Sequence, residues 1–171
     1  MAASSRDRLA STDPANEASA ARGTTAMLRW LTLIMLGLLL LQLVIGVFVN
    51  LFVTVPNGHP GSGQTILRGA FTGLGWAIAS GLTSLALHVL VGLLVGLGSI
   101  VVLVVAIRSG RRGWMTVAIV GLLATLYAGL NGLVFMDAGK NDDNSLEMTV
   151  GFVIAIATYI VGLILPQRGI A

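Results

Sequence analysis

Apolar positions along this chain gather into four long blocks, and charged residues appear only between them. No Asp, Glu, Lys or Arg lies between Arg29 and Arg68, between Arg68 and Arg108, between Arg112 and Asp137, or between Glu147 and Arg168. Each gap holds the ~20 apolar residues that carry an α-helix across a bilayer. The pattern predicts four transmembrane helices, near 28-53, 79-107, 114-136 and 147-166. Stretches such as Ile100-Val101-Val102-Leu103-Val104-Val105-Ala106-Ile107 do not alternate apolar with polar residues, as strands of a membrane barrel would. β-Branched residues lower helix propensity in water. In lipid that preference is overridden, because every backbone N–H needs a partner inside the protein. The expected fold is an all-α integral membrane protein, a four-helix bundle running up-down-up-down.

Composition strengthens this picture and adds a direction. Of 171 residues, 56% are hydrophobic and only 10% charged, against about 25% charged in a soluble domain. Mean hydropathy is +0.92. With so few charges, most of the surface is expected to face hydrocarbon in a cell (plasma) membrane. Eight of the ten basic residues (Arg6, Arg8, Arg22, Arg29, Arg108, Arg111, Arg112 and Arg168) fall on the side that holds both termini. Only Arg68 and Lys140 fall on the other, where Asp137, Asp142, Asp143 and Glu147 also gather. The positive-inside rule therefore puts the N- and C-termini in the cytoplasm. The sequence pI near 10.2 then marks orientation and does not call for a nucleic-acid partner. There is no cysteine, which excludes disulfides, thiolate metal sites and acylated cysteine anchors. Nine arginines to one lysine suggest a GC-rich, bacterial genome.

Outside the blocks the chain is short on structure. Residues 1-26 are small, polar and charge-mixed, with nothing to bury, and are expected to form a disordered cytoplasmic tail ahead of a transmembrane domain at 27-171. The apolar run after Arg29 is longer than a signal-peptide core, so the first span is expected to stay as an anchor. The first outer loop opens with Pro56-Asn57-Gly58-His59-Pro60-Gly61, dense turn chemistry in which His59 is expected to be solvated. Its continuation, 64-78, suits either an interfacial helix or an outward extension of the second span. Trp30, Trp76 and Trp114 each sit at an expected water–lipid boundary.

The spans carry stripes of polar and small residues. Ser80, Ser84, His88, Gly92 and Gly96 recur every four positions, on one face of the second span. Gln42, Gly46 and Asn50 do the same in the first, Gly121, Thr125 and Gly129 in the third, and Glu147, Gly151, Ala155 and Tyr159 in the fourth. Such faces let helices approach closely. Gln42, Asn50, Asn131 and Glu147 are expected to supply a polar bundle interior. Laying the first two spans over the last two sets His88 against Glu147, a faint internal repeat. An ionisable side chain inside a span is costly and marks a functional site by default. His88 admits three readings: a neutral imidazole hydrogen-bonded to Gln42, Asn50 or Asn131; a haem ligand, with Gly92 and Gly96 clearing room for a flat ligand; or a proton-relay or substrate contact paired with Glu147.

Gln42-x-x-x-Gly46 followed by Leu87-His88-x-x-x-Gly92 resembles the four-helix haem-carrying modules of haem A synthase-like and cytochrome b561-like membrane proteins. The layout is also similar to that of small uncharacterised bacterial four-span proteins. The resemblance implies a b-type haem held near one membrane face by histidines of two helices. Only His88 maps onto a ligand position here, because Glu147 occupies the place of its partner. No P-loop, nucleophile elbow, HExxH or CxxCH motif is present. The main expectation is a non-enzymatic accessory protein, working as a homo-oligomer or as a subunit of a membrane complex. The alternatives are a haem b redox module with His88 as axial ligand, and a small transporter or channel component.

Overall fold

The computed structural model describes residues 14–56, 58–80, 82–137 and 142–164. All regular structure among them is helical: α1 (Pro14–Phe52), α2 (Ile66–Ala79), α3 (Thr83–Ser109), α4 (Arg112–Asp137) and α5 (Asp142–Ile164). Stretches of α1, α3, α4 and α5 are long and apolar enough to cross a membrane: Ala18–Phe52, Thr83–Ser109, Arg112–Met136 and Asp142–Ile164. These are the hallmarks of a multi-pass membrane protein.

The polar side chains inside these helices mostly bond to their own backbone. Thr32, Ser99, Thr116 and Thr149 each donate a hydroxyl to the carbonyl four residues earlier, at 2.8–3.1 Å. A hydroxyl satisfied within its own helix can lie in hydrocarbon without leaving a bare donor. Gly110 ends α3 in the left-handed region (φ 64°), with its N–H on the Ile107 carbonyl at 3.1 Å. A side chain would be strained there. The Ser109 hydroxyl accepts from the Arg111 N–H, and α4 begins one residue later. The basic turn therefore folds α3 and α4 into a tight antiparallel hairpin.

The four long helices close into a ring in which α1 packs on α3, α3 on α4, α4 on α5, and α5 on α1. The diagonal pairs make no contact of this kind among the described residues. Two core clusters result. The larger includes Leu28, Met35, Leu39, Val95, Val102, Trp114, Val117, Ala155 and Tyr159, toward the end of the bundle that holds the α3–α4 turn. The smaller includes Val49, Val53, Val55, Ala77, Leu85 and Met136, at the opposite end.

Several sequence expectations are corrected. Residues 14–26 are not part of a disordered tail but the first turns of α1; Pro14 suits the first helical position and the following Ala-rich segment favours helix. Residues 1–13 lie outside the described residues. The second span starts at Thr83 and not at 79, because the chain breaks after Ala79. There the Ser80 hydroxyl donates to the Ala77 carbonyl and accepts from the Leu82 N–H. The segment 64-78 therefore becomes a separate helix, α2, packed on α3 and α4. The last span starts earlier than 147, at Asp142, placing Asp142 and Asp143 in the first turn, where the helix dipole favours negative charge. Of the three tryptophans only Trp30 is exposed (68%), while Trp114 is buried in the larger core and Trp76 stacks on His59.

Candidate functional site

Between the two core clusters the bundle holds a partly open cavity of about 480 Å³, within the range of small-molecule sites. Its lining is almost entirely aliphatic and aromatic. The polar exceptions are Gln42, Asn50, His88 and Thr125, and no Asp, Glu, Lys or Arg is among the lining residues.

Gln42 and His88 meet at one wall. Gln42 is 4% exposed, and its Nε2 lies 3.3 Å from His88 Nε2. Each residue rests on a glycine of the other's helix. A Cβ at Gly46 would come within 2.9 Å of His88 Cε1, and one at Gly92 within 3.0 Å of Gln42 Nε2. In antiparallel helices residue numbers run in opposite directions, so Gln42 faces Gly92 just as His88 faces Gly46. Of the three partners expected for His88, the structure brings Gln42.

The pair is not saturated. An amide N–H donating to Nε2 uses that nitrogen's lone pair and puts the imidazole proton on Nδ1. Gln42 Oε1 and His88 Nδ1 are both buried and without a hydrogen-bond partner. Turning the amide over exchanges the roles but leaves the same inventory, one unsatisfied donor and one unsatisfied acceptor. The pair also lines a smaller cleft of about 60 Å³, bordered by Asn50, Ser145 and Thr149. The two residues thus form a partition between the apolar cavity and a more polar recess between α1 and α5.

The remaining expected site residues are dispersed. Asn50 lines both spaces but is exposed. Asn131 is not in the cavity wall; its amide donates to the Tyr127 carbonyl at 3.0 Å. Glu147 is exposed, on the side where the Tyr127 hydroxyl lies within its reach. A polar interior made from all four side chains is therefore not what forms. Asn131 and Glu147 lie at helical phases turned away from Gln42, a difference that a stripe of single residues does not reveal. Gly92 is a packing contact for Gln42, whereas Gly96 has nothing within 4 Å of a would-be Cβ and borders the cavity.

The opening of the cavity follows from its most exposed lining residues. Leu97 (61%) and Leu130 (60%) line it, and Leu93, Ile100 and Leu126 are about half exposed. All belong to α3 or α4, so the gap lies between these two helices. Gly129 on α4, like Gly96 on α3, looks into empty space. Deeper in the bundle the seam is shut by a hydroxyl chain. Ser99 accepts from the Tyr159 hydroxyl at 3.3 Å and lies 3.3 Å from the Thr125 hydroxyl. This layer joins α3, α4 and α5.

The end of the bundle opposite the α3–α4 turn is covered by α2 and the loop before it, pinned by His59. Far from being solvated, His59 is 7% exposed. Its Nε2 lies 3.0 Å from the Met136 carbonyl, its Nδ1 3.1 Å from that of Pro60, and its ring stacks on Trp76 at 4.8 Å. Gly61 (φ 110°) lets the loop cross α2 so closely that a Cβ would lie 2.7 Å from the Gly69 carbonyl. The burial of this loop histidine is not legible in its local sequence, because its anchors are a backbone carbonyl 77 positions away and an indole outside its own turn.

A b-type haem does not fit these residues. The Nε2 of His88 is taken up by its hydrogen bond with the Gln42 amide, the counterpart position Glu147 is exposed and not among the lining residues, and no Lys or Arg lines the cavity to meet propionates. Among the described residues no group of three or more potential metal ligands converges. No family model, no curated protein and no solved structure matches the chain.

Proposed function

We propose that the chain is a four-span protein of a bacterial plasma membrane, with both termini in the cytoplasm, that acts as a non-enzymatic binding subunit for a membrane-soluble molecule. The observation that carries this reading is the uncharged cavity of about 480 Å³ inside the bundle. Protein interiors are close-packed, and a void of this size with aliphatic walls forfeits dispersion contacts that an apolar occupant would restore. The orientation is supported by the arginines of the α3–α4 turn and of the first half of α1, against the acidic first turn of α5. The accessory role is supported by the lack of any catalytic motif in the sequence.

The test is to purify the full chain in a mild detergent, exchange it into nanodiscs of defined lipid, and analyse the organic extract by mass spectrometry. A small molecule retained in near-stoichiometric amount through the exchange is the expected result. It should be lost from Gly96→Leu/Gly129→Leu protein, whose new side chains occupy the cavity. Identical extracts from both proteins would overturn the reading.

A further inference from the structure

The cavity has a polar side and a way in, and together these define the chemistry of its occupant. We infer that it takes an uncharged lipid bearing a hydroxyl or carbonyl head, which enters sideways from the bilayer between α3 and α4 and sets its head on the Gln42–His88 pair. This rests on the binding role proposed above and names the ligand class.

Size and shape come first. The lining runs along α3 from Leu85 to Ile100, which at 1.5 Å per residue is about 22 Å. That exceeds the ~15 Å half-thickness of the hydrocarbon core, so an extended aliphatic chain fits lengthwise. The entrance follows from the gap bordered by Leu93, Leu97, Leu126 and Leu130, with Gly96 and Gly129 removing the side chains that would close it. Such an opening faces lipid tails, and a water-soluble ligand would have to cross them.

The head follows from the unsatisfied atoms. Gln42 is more than nine-tenths buried, both Gln42 and His88 line the cavity, and between them Gln42 Oε1 and His88 Nδ1 leave one acceptor and one donor without a partner beside it. A hydroxyl can answer either atom, donating to the acceptor or accepting from the donor; a carbonyl can answer the donor alone. A carboxylate, phosphate or ammonium head would find no counter-charge among the lining residues and would bear its full desolvation cost. The wall therefore selects for neutral polar heads and against ionic ones.

The experiment uses the full chain in nanodiscs with a photoreactive diazirine analogue of hexadecanol, competed by unlabelled hexadecanol, hexadecane or hexadecanoate. Labelling is expected on α3 and α4 peptides around Leu93–Leu97 and Leu126–Leu130. Hexadecanol should compete about ten-fold better than hexadecane, the factor expected when one hydrogen-bonded group is otherwise left unpaired. Hexadecanoate should compete worse than the alcohol. Gln42→Leu should bring alcohol and alkane to parity while labelling persists. Should that variant not fold, the comparison of competitors on the wild-type chain decides alone. Equal competition by alcohol and alkane on the wild-type protein would overturn the head-group inference and leave the binding role standing. Labelling that no competitor displaces would overturn both.

Discussion

Glycine does two opposite jobs here, and single residues tell them apart. At Gly151 an added Cβ would meet the Ala124 carbonyl and the Ala128 backbone nitrogen at 3.0 Å, both parts of a rigid helix. At Gly129 it would meet nothing within 4 Å. Gly151→Ala should therefore force α4 and α5 apart and cost about 1–3 kcal/mol, as overpacking does. Gly129→Ala should stay within about 0.5 kcal/mol of wild type. Thermal unfolding of the two variants in the same detergent reads the difference, and equal loss would refute it. Both glycines sit in i+4 stripes of the sequence, so the pattern marks them alike. What separates them is the distance between helix axes at each level of the bundle, which no single helix encodes. The same limit hid His59, whose burial depends on Met136 and Trp76. Gln42 and His88 were legible as polar intruders in apolar runs, and their meeting needed only the antiparallel pairing of neighbours. Ser99 was not singled out, because it lies outside the four-residue stripe of its own span and its partners Thr125 and Tyr159 come from two other helices.

At the scale of the elements, the ring of helices holds unevenly. The α4–α5 seam is lined by Gly121, Ala124, Ala128, Gly151 and Ala155, and a Cβ at Gly121 would sit 2.8 Å from Tyr159 Cζ. Small side chains permit that approach, and the buried Tyr159 fills the space beside them. The α3–α4 seam is close only from the Gly110 turn to the Ser99–Thr125 level, beyond which it opens. The hydroxyl chain should therefore be the clasp of that seam. Ser99→Ala would leave the Tyr159 hydroxyl buried without its acceptor, at a cost of about 1–3 kcal/mol, whereas Tyr159→Phe removes the orphan and should cost less. Hydrogen exchange along the middle of α3 and α4 should rise more in the alanine variant. If the phenylalanine variant is the less stable of the two, the clasp is misassigned. The number and apolar cores of the four long helices were legible from charge spacing, whereas their first turns and the separation of α2 from α3 were not. That separation turns on a serine-stabilised break of a few residues inside a continuously semi-apolar stretch.

For the whole molecule, the orientation proposed above is open to a direct test. The chain lacks cysteine, so a single introduced thiol reports its own side of the membrane without background. Gln64→Cys, in the exposed loop before α2, should react with a membrane-impermeant maleimide added to intact cells. Gly113→Cys, exposed beside the arginine turn, should react only after the membrane is opened. The reverse pattern would invert the topology, and reaction of both in intact cells would contradict a four-span insertion.

The crossed contacts of Gln42 on Gly92 and His88 on Gly46 have a consequence for how the first and third helices find their alignment. Each helix carries a tooth and a notch four residues apart, cut in the same order, so the two strips mesh only when antiparallel and only at one offset. Sliding by one turn would bring tooth onto tooth. A lock of this kind is indifferent to which strip bears a given tooth. Gln42→Gly and Gly92→Gln should each lower the unfolding temperature, one by emptying a notch and the other by adding a second tooth. The double exchange should recover most of the loss, because the polar chain then fills the same space from the opposite side. Additive losses in the double variant would mean that the two helices are aligned by something other than this mesh.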